Sequence, residues 1–246
     1  MDRFVLLAFA ISVSFLAVSL AHAEEPYQTD VIKTSAGDLK ITFIGHASLI
    51  FSFGGKTIYI DPDSRLADFS KFPKADIVFI THEHGDHFDP KAIATISTGK
   101  TIFITNEAAK PETGNRTVMR NGDSRTVEGL AVQAVPAYNL VHMRSEGVPF
   151  HPKGNGNGYV LTFGDKKVYV AGDTENIPEM KDLKGIDIAF LPMNLPYTMT
   201  PEMNADAAKS FSPKVLYPYH FGETDTSKIV ELLKGTNIEV RIRKMK

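Results

Sequence analysis

Short apolar runs, separated by glycine, proline and aspartate, make up most of the chain. Runs of this length are typical of strands, and Gly-Gly or Gly-Asp pairs between them are typical of hairpin turns. Residues 89–97 predict a helix instead, because an aspartate at the N-cap position and a proline just after it begin the segment. The predicted strands up to residue 173 are 39–62 with a turn at Gly54-Gly55, 75–81, 101–105, 125–137, and 158–173 with a turn at Gly164-Asp165.

The last third of the chain alternates between strand-like and helix-like patterns. A long polar segment, 138–158, has no apolar period, and we expect this loop to form one wall of a cleft. Its Gly-Asn-Gly-Asn-Gly stretch predicts mobility there. No low-complexity linker divides the chain, so we expect one domain with two β-rich halves and helices outside. The predicted elements of the last third are strand 187–192, helix 201–211, strand 214–220 and helix 226–235.

The N-terminus predicts export. An apolar run at residues 4–20 is followed by Ala21-His-Ala23, a small-x-small pattern typical of signal-peptide cleavage. We therefore expect residues 1–23 to be a secretory signal peptide that is cut after Ala23, and residues 24–246 to be the mature domain. The mature protein would be periplasmic or secreted, without a stable membrane span. The alternative is an uncleaved membrane anchor, because the run reaches the lower limit of a spanning length.

Composition limits the partners, the cross-links and the metal ligands that the protein can have. The 246 residues carry a net charge of −2, and the one basic block, 241–246, is interpreted as a solvated last strand or tail. Nothing therefore indicates a nucleic-acid partner. The chain has no cysteine, so it has no disulfides. Any metal site must use histidine, aspartate, glutamate and water, which favours zinc, iron or manganese.

The stretch THEHGDHFD, at residues 81–89, carries three of the eight histidines and three acidic residues. On a tight turn, His82 and His84 can face one point while Asp86 and His87 face a second point a few ångströms away. One short loop can thus supply two pairs of ligands, and a metal ion is the expected compensation for the mutual repulsion and desolvation of these groups.

Further candidate ligands stand where other predicted strands end. Asp173, in AGDT, is the candidate bridge between two ions, and His220 would complete the second site. Two ions that share a water lower its pKa towards neutrality, which would provide a hydroxide nucleophile. Asp86 is placed to hold that water. Tyr197 is a candidate hydrogen-bond donor to an oxyanion, or else a buried core residue.

The motifs THEHGDH and AGDT and the late strand-terminal histidine resemble the metallo-β-lactamase superfamily. GHAS…DP, VPAYN, HPKG and YPYHFG resemble its branch of metal-dependent hydrolases, near the ascorbate-6-phosphate lactonase-like and N-acylphosphatidylethanolamine phospholipase D-like proteins. The resemblance covers most of the mature chain. It implies an α/β fold, the αββα sandwich, in which two facing sheets have helices outside.

The resemblance also implies the ligand sets. The first ion would be held by His82, His84 and a further histidine, and the second by Asp86, His87 and His220, with Asp173 between them. Many relatives place the further histidine directly after a strand, where this chain has Tyr138 and Asn139. His151 is favoured for that role and His142 is the alternative.

Three residues near these motifs have other expected roles. Asp61 resembles an aspartate that orients a metal-binding histidine without touching metal, although it could simply form a turn. His46 either faces the cleft or packs in the interior. Glu83 is expected to point to solvent.

The resemblance implies a hydrolase that uses a metal-bridging hydroxide to cleave an ester, lactone or phosphodiester in a small molecule. Two divalent ions are expected, with zinc favoured and manganese or iron as alternatives. Other functions remain open: β-lactamase-like amide hydrolysis, a metal-retaining binding protein without turnover, or a two-iron redox protein. The redox function is disfavoured because relatives of that kind carry glutamate at the position of His84.

Overall fold

The computed structural model describes residues 27–245. The predicted signal peptide and its cleavage point after Ala23 lie outside the described residues. Within the described part of the chain, no helix combines the length and apolar character needed to cross a membrane.

The first sheet contains seven strands that follow one another in chain order. The first four pair antiparallel and the last four pair parallel. The predicted turn at Gly54-Gly55 is present, and both glycines have the positive φ that a tight hairpin of this kind requires. The strands are β1 (Gln28–Thr34), β2 (Gly37–Gly45), β3 (Ser48–Phe53), β4 (Lys56–Ile60), β5 (Ile77–Phe79), β6 (Ile102–Thr105) and β7 (Asn115–Val118).

The second sheet also has seven strands, in the order β16-β15-β14-β13-β12-β9-β8. Its strands from β8 to β13 pair antiparallel, and those from β13 to β16 pair parallel. Strands β10 and β11 form a separate hairpin. The strands are β8 (Ser124–Val127), β9 (Leu130–Ala137), β10 (Met143–Ser145), β11 (Val148–Pro149), β12 (Gly156–Phe163), β13 (Lys166–Val170), β14 (Ile188–Pro192), β15 (Val215–Tyr219) and β16 (Glu239–Val240).

Helices cover the outer faces of both sheets. Helix α1 (Pro90–Ile96) begins as predicted, because the Asp89 side chain accepts a hydrogen bond from the Lys91 amide. It buries an apolar face on the first sheet. Helix α2 (Pro201–Phe211) lies on the second sheet, where Phe211 contacts Tyr169 at 5.7 Å between ring centroids, and helix α3 (Ser227–Leu232) packs beside it. The predicted αββα layering is confirmed.

Aromatic contacts between the inner faces hold the two sheets together. The rings of Phe51 and Phe163 lie 5.6 Å apart, and those of Phe79 and Tyr159 lie 5.1 Å apart. All four side chains are fully buried. Because such aromatic pairs add to the stabilisation from area burial, they fix the spacing of the sheets.

The predicted strand pattern lacked several strands that the structure contains. Strands β1 and β7 were not predicted, and the segment predicted as a loop at 138–158 contains the β10–β11 hairpin and the start of β12. The glycine-rich stretch therefore does not form the mobile loop that we expected. Asn157 is buried and donates a hydrogen bond to the Met119 carbonyl, which fixes this stretch inside the sheet.

The prediction of a solvated C-terminal tail was wrong. Arg243 donates hydrogen bonds to both carboxylate oxygens of Asp30, in β1, at 2.7–2.9 Å. Its guanidinium also lies over the rings of Phe43 and Tyr217. Met245 is fully buried. The basic block thus ties the end of the chain to the first strand, which no local pattern could reveal.

We expect Arg243→Gln to lower the free energy of unfolding by about 1–3 kcal/mol, because it removes three charge-assisted hydrogen bonds to a largely buried carboxylate. Urea denaturation measures this difference. Arg125→Gln is the matched control, since Arg125 is exposed on β8. Equal losses in the two variants would contradict the role given to the C-terminal segment.

Candidate metal centre

Three histidines converge at the end of β5. The Nε2 atom of His82 lies 3.1 Å from Nδ1 of His84. The His151 ring lies 5.0 Å from each of their rings. One ring nitrogen from each of the three histidines lies within 4.8 Å of the other two, which is close enough for all three to bind a single ion. The structure brings His151 here, from the segment between β11 and β12, and does not bring His142.

A second group lies beside the first. The Oδ2 atom of Asp86 is 3.8 Å from Nε2 of His87 and 3.7 Å from Nε2 of His220. His46 joins them, with its Nε2 atom 3.3 Å from the same carboxylate and its ring 3.7 Å from the ring of His220. His46 therefore faces the cleft, which answers the question that the sequence left open.

Asp173 stands between the two groups. Its Oδ2 atom lies 3.3 Å from Nε2 of His151 and 3.4 Å from Nε2 of His220, and its Oδ1 atom lies 3.3 Å from Nε2 of His87. Burial would raise the pKa of this carboxyl, but His220 and His87 outweigh burial and hold the pKa well below its usual value. A buried carboxylate in this position can contact two cations at once.

Behind His87, a buried aspartate fixes the ring. Asp61 Oδ2 lies 2.8 Å from His87 Nδ1, and Asp61 also accepts hydrogen bonds from the Thr81 amide and hydroxyl. This is the orienting contact expected of Asp61. Burial alone would lower the pKa of His87, but the facing carboxylates of Asp173 and Asp61 raise it well above the usual value. The position therefore favours positive charge at Nε2, whether a proton or a metal ion.

A different support holds His151. The side-chain oxygen of Asn139 lies 2.7 Å from Nδ1 of His151 and also accepts from its backbone amide. Asn139 stands two residues after the end of β9, at the place where the resemblance led us to expect a histidine. Here the asparagine instead orients a histidine that comes 12 residues later, and that leaves Nε2 of His151 facing Asp173.

Glu175 holds Asn139 in place and so supports His151 indirectly. This residue was not identified from the sequence. Its carboxylate is fully buried and accepts hydrogen bonds from the Asn139 side chain and from the amides of Leu140, Val141 and His142. The His142 ring binds the same carboxylate at 2.7 Å, away from the two groups. Burial would raise the pKa of Glu175, but these hydrogen bonds hold it below its usual value. A glutamate two residues after the AGDT aspartate was the available signal.

The donor set fits divalent metal ions. Among the described residues, Nε2 of His87, Oδ1 of Asp173 and Nε2 of His220 are buried without a hydrogen-bond partner. Buried polar atoms are rarely left unbonded, because the desolvation cost is about 1–3 kcal/mol for each. All three atoms are metal ligands by type and point into the same space. Imidazole and carboxylate donors suit zinc, manganese and iron.

The two groups form the floor of an open cleft of about 710 Å³. Tyr197 lines it and is 45% exposed, so the alternative of a buried core tyrosine is wrong. Glu83 does not point to solvent as expected: it is half-buried and accepts hydrogen bonds from Asn106 and Asn155. The β10–β11 region contributes Arg144 and Phe150 to the wall, and other segments contribute Ser64, Arg65, Gly85, Asp89 and Asn194.

With this geometry, the chain matches a known family. The sequence profile of the beta-lactamase superfamily domain matches residues 40–220, which span every residue of the two groups. The chain therefore belongs to the beta-lactamase superfamily.

Individual relatives agree with this assignment. The chain is 31% identical over 230 residues to a UPF0173 metal-dependent hydrolase of Pyrococcus abyssi, covering 82% of this chain and 100% of the relative. A solved Parabacteroides distasonis protein, named as a metal-dependent hydrolase, is 50% identical, with a TM-score of 0.85 over 89% of this chain and all of that one. The metallo hydrolase Igni18 of Ignicoccus hospitalis is 24% identical and shares the fold, with a TM-score of 0.68 over 84% of this chain and 95% of its own. The resemblance to the two narrower branches stays a prediction.

We expect Asn139→Ala to weaken metal binding by about 10- to 100-fold, because the ring of His151 would lose the group that orients it. Competition with a chromophoric chelator measures the affinity. Asn115→Ala is the matched control, since Asn115 is exposed on β7 far from the histidine groups in sequence. If the two variants bind metal equally well, the orienting role of Asn139 is wrong.

Proposed function

We propose that this protein is a metal-dependent hydrolase that holds two divalent ions and cleaves an ester, lactone or phosphodiester in a small molecule. Zinc is the expected metal, with manganese or iron as alternatives. His82, His84 and His151 would hold one ion, and Asp86, His87 and His220 the other, with Asp173 contacting both.

The observation that carries the proposal is the position of the Asp173 carboxylate. Its oxygen atoms lie 3.3 Å from Nε2 of His151, in the first group, and 3.3–3.4 Å from Nε2 of His87 and of His220, in the second group. A single carboxylate shared by two ligand groups is the arrangement expected of a two-metal site. The unbonded buried Nε2 atoms of His87 and His220 support occupancy of the second group, and the unbonded Oδ1 atom of Asp173 lies beside them.

When bound, two divalent ions supply Lewis-acid polarisation of the scissile group and an activated water. Residues of the chain would accept the proton and stabilise the developing negative charge. Asp86 faces the cleft with its side chain 35% exposed, and it can accept a proton from an attacking water. Tyr197 can donate a hydrogen bond from the cleft wall to the oxygen on which negative charge develops. No serine or cysteine nucleophile is needed.

Two other functions use the same site. β-Lactamase-like amide hydrolysis would need the same donors, and a panel of amides and esters separates the two. A metal-retaining binding protein would keep the ions without turnover. The open cleft supports the hydrolase over the binding protein, because a site that only retains metal has no need of space for a further ligand beside it.

The size of the cleft and the charge of the chain both bear on the kind of partner. A cleft of this size suits a small-molecule substrate, and the net charge of −2 gives no support for nucleic acid.

We further propose that the protein is exported to the periplasm or secreted after cleavage following Ala23, on the signal-like pattern of residues 1–23. Mass determination of the N-terminus of the protein made in cells tests that proposal.

The deciding experiment is the metal content of the purified protein and of two variants. We expect about two ions per chain in the native protein, a loss in His151→Ala and no loss in His142→Ala. His142 is the matched control because its ring binds Glu175 outside the two groups. A loss only in His142→Ala would overturn the assignment of His151. A native protein that binds no metal tightly would overturn the proposed function.

We expect Tyr197→Phe to lower kcat at least about tenfold with little change in metal content, because it removes one hydrogen-bond donor to the developing charge. Steady-state kinetics on an ester that the native protein hydrolyses measures the effect. Unchanged turnover in this variant would remove Tyr197 from the mechanism.

A further inference from the structure

One arginine at the cleft has no acidic partner. Arg144, at the centre of β10, lines the cleft and is exposed. Among the described residues it makes no ion pair, and its recorded contact is with the Phe150 ring, 5.8 Å from the guanidinium carbon. Its charge and its hydrogen-bond donors are therefore available to a ligand.

The other arginine of the cleft is already engaged. Arg65 donates hydrogen bonds to both carboxylate oxygens of Asp63, at 2.6–3.0 Å, and Asp63 is buried. Such a bidentate pair neutralises the charge and fixes the guanidinium plane. Arg144 is thus the cleft arginine whose charge is not balanced by the protein.

The hairpin that carries Arg144 is held in place. Its first strand follows residues 140–142, whose three amides all donate to the buried carboxylate of Glu175 at 2.7–2.8 Å. After the second strand, His151 is fixed by Asn139. Both ends of the hairpin are therefore tied to the support of the metal centre, and Arg144 keeps a defined position relative to it.

An apolar surface accompanies the charge. The rings of Phe150 and Tyr197 meet edge to face at 5.1 Å and line the cleft together. Among the described residues, six of the eight exposed large apolar side chains lie on the two segments beside these rings: Leu140, Val141, Met143, Val148, Leu195 and Tyr197. A ligand bound in the cleft would meet the apolar rings of Phe150 and Tyr197 beside the positive charge of Arg144.

We infer that Arg144, Phe150 and Tyr197 form a subsite for an anionic substituent on an apolar stem, attached to the bond that the metal centre cleaves. This inference rests on the proposed hydrolase function and names its substrate class. The substituent is a carboxylate or a phosphate, since both match the guanidinium fork. It is separate from the scissile group, because Arg144 is not a member of either ligand group; Tyr197 lines the cleft together with both.

A matched pair of esters tests this. 4-Nitrophenyl glutarate carries a terminal carboxylate where 4-nitrophenyl valerate carries a methyl group. We expect the native, metal-loaded protein to prefer the glutarate ester. Arg144→Gln should raise KM for that ester about five- to tenfold, leave its kcat unchanged and leave valerate hydrolysis unchanged. The effect should shrink at high salt. Arg125→Gln, at an exposed site on β8, is the control.

Binding provides a second readout that does not depend on turnover. In ligand-observed NMR titrations, glutaramate should bind the native protein at least about fivefold more tightly than valeramide, and Arg144→Gln should abolish the difference. Propyl phosphate in the same titration distinguishes a phosphate preference from a carboxylate preference.

The outcomes separate the two proposals. Turnover of both esters without a preference, or an equal loss for both in Arg144→Gln, overturns the anionic subsite and leaves the hydrolase function intact. Failure to turn over any ester, lactone or phosphodiester overturns the proposed function, and the titration still decides the subsite. The anionic subsite would also be overturned if Arg125→Gln weakened binding of the anionic ester as much as Arg144→Gln does.

Discussion

The structure depends on a buried carboxylate surrounded by imidazoles. Asp173 is 4% exposed and faces nitrogen atoms from three segments of the chain, yet its Oδ1 atom has no hydrogen bond. Groups of this kind are costly to bury unless a cation or hydrogen bonds compensate. The cost of burying this carboxylate would be offset if divalent ions bound in the two neighbouring ligand groups, because the ions would contact the atoms that the protein leaves without a hydrogen bond.

The fold contributes by ending its strands at one edge. β4, β5, β13 and β15 each run into a residue of the site or its support within a few positions: Asp61, His82, Asp173 and His220. The local backbone is unusual there. His46, Asp61 and His220 all have positive φ, at 42–48°, a region that most non-glycine residues avoid. Such conformations cost about 1–3 kcal/mol each, and a rigid sheet edge can impose them.

The sequence predicted the layers and much of the site because both leave local signals. The αββα class, the helix capped by Asp89 and the contact expected of Asp61 all follow from short motifs. The C-terminal segment was misread because its partner, Asp30, lies over 200 residues away in the chain. Glu175 was missed for a similar reason, because the amides that it accepts from lie more than 30 residues earlier in the chain. Arg144 was missed because β10 and β11, at three and two residues, are too short to show a period.

The ligand groups are spread along the chain, from His46 to His220, and this spacing orders the assembly of the protein. The residues of THEHGDH are synthesised early, but their second group lacks His220 until β15 has paired with β14. A nascent chain can therefore offer at most a partial set of donors until His220 has been synthesised and β15 has joined the second sheet.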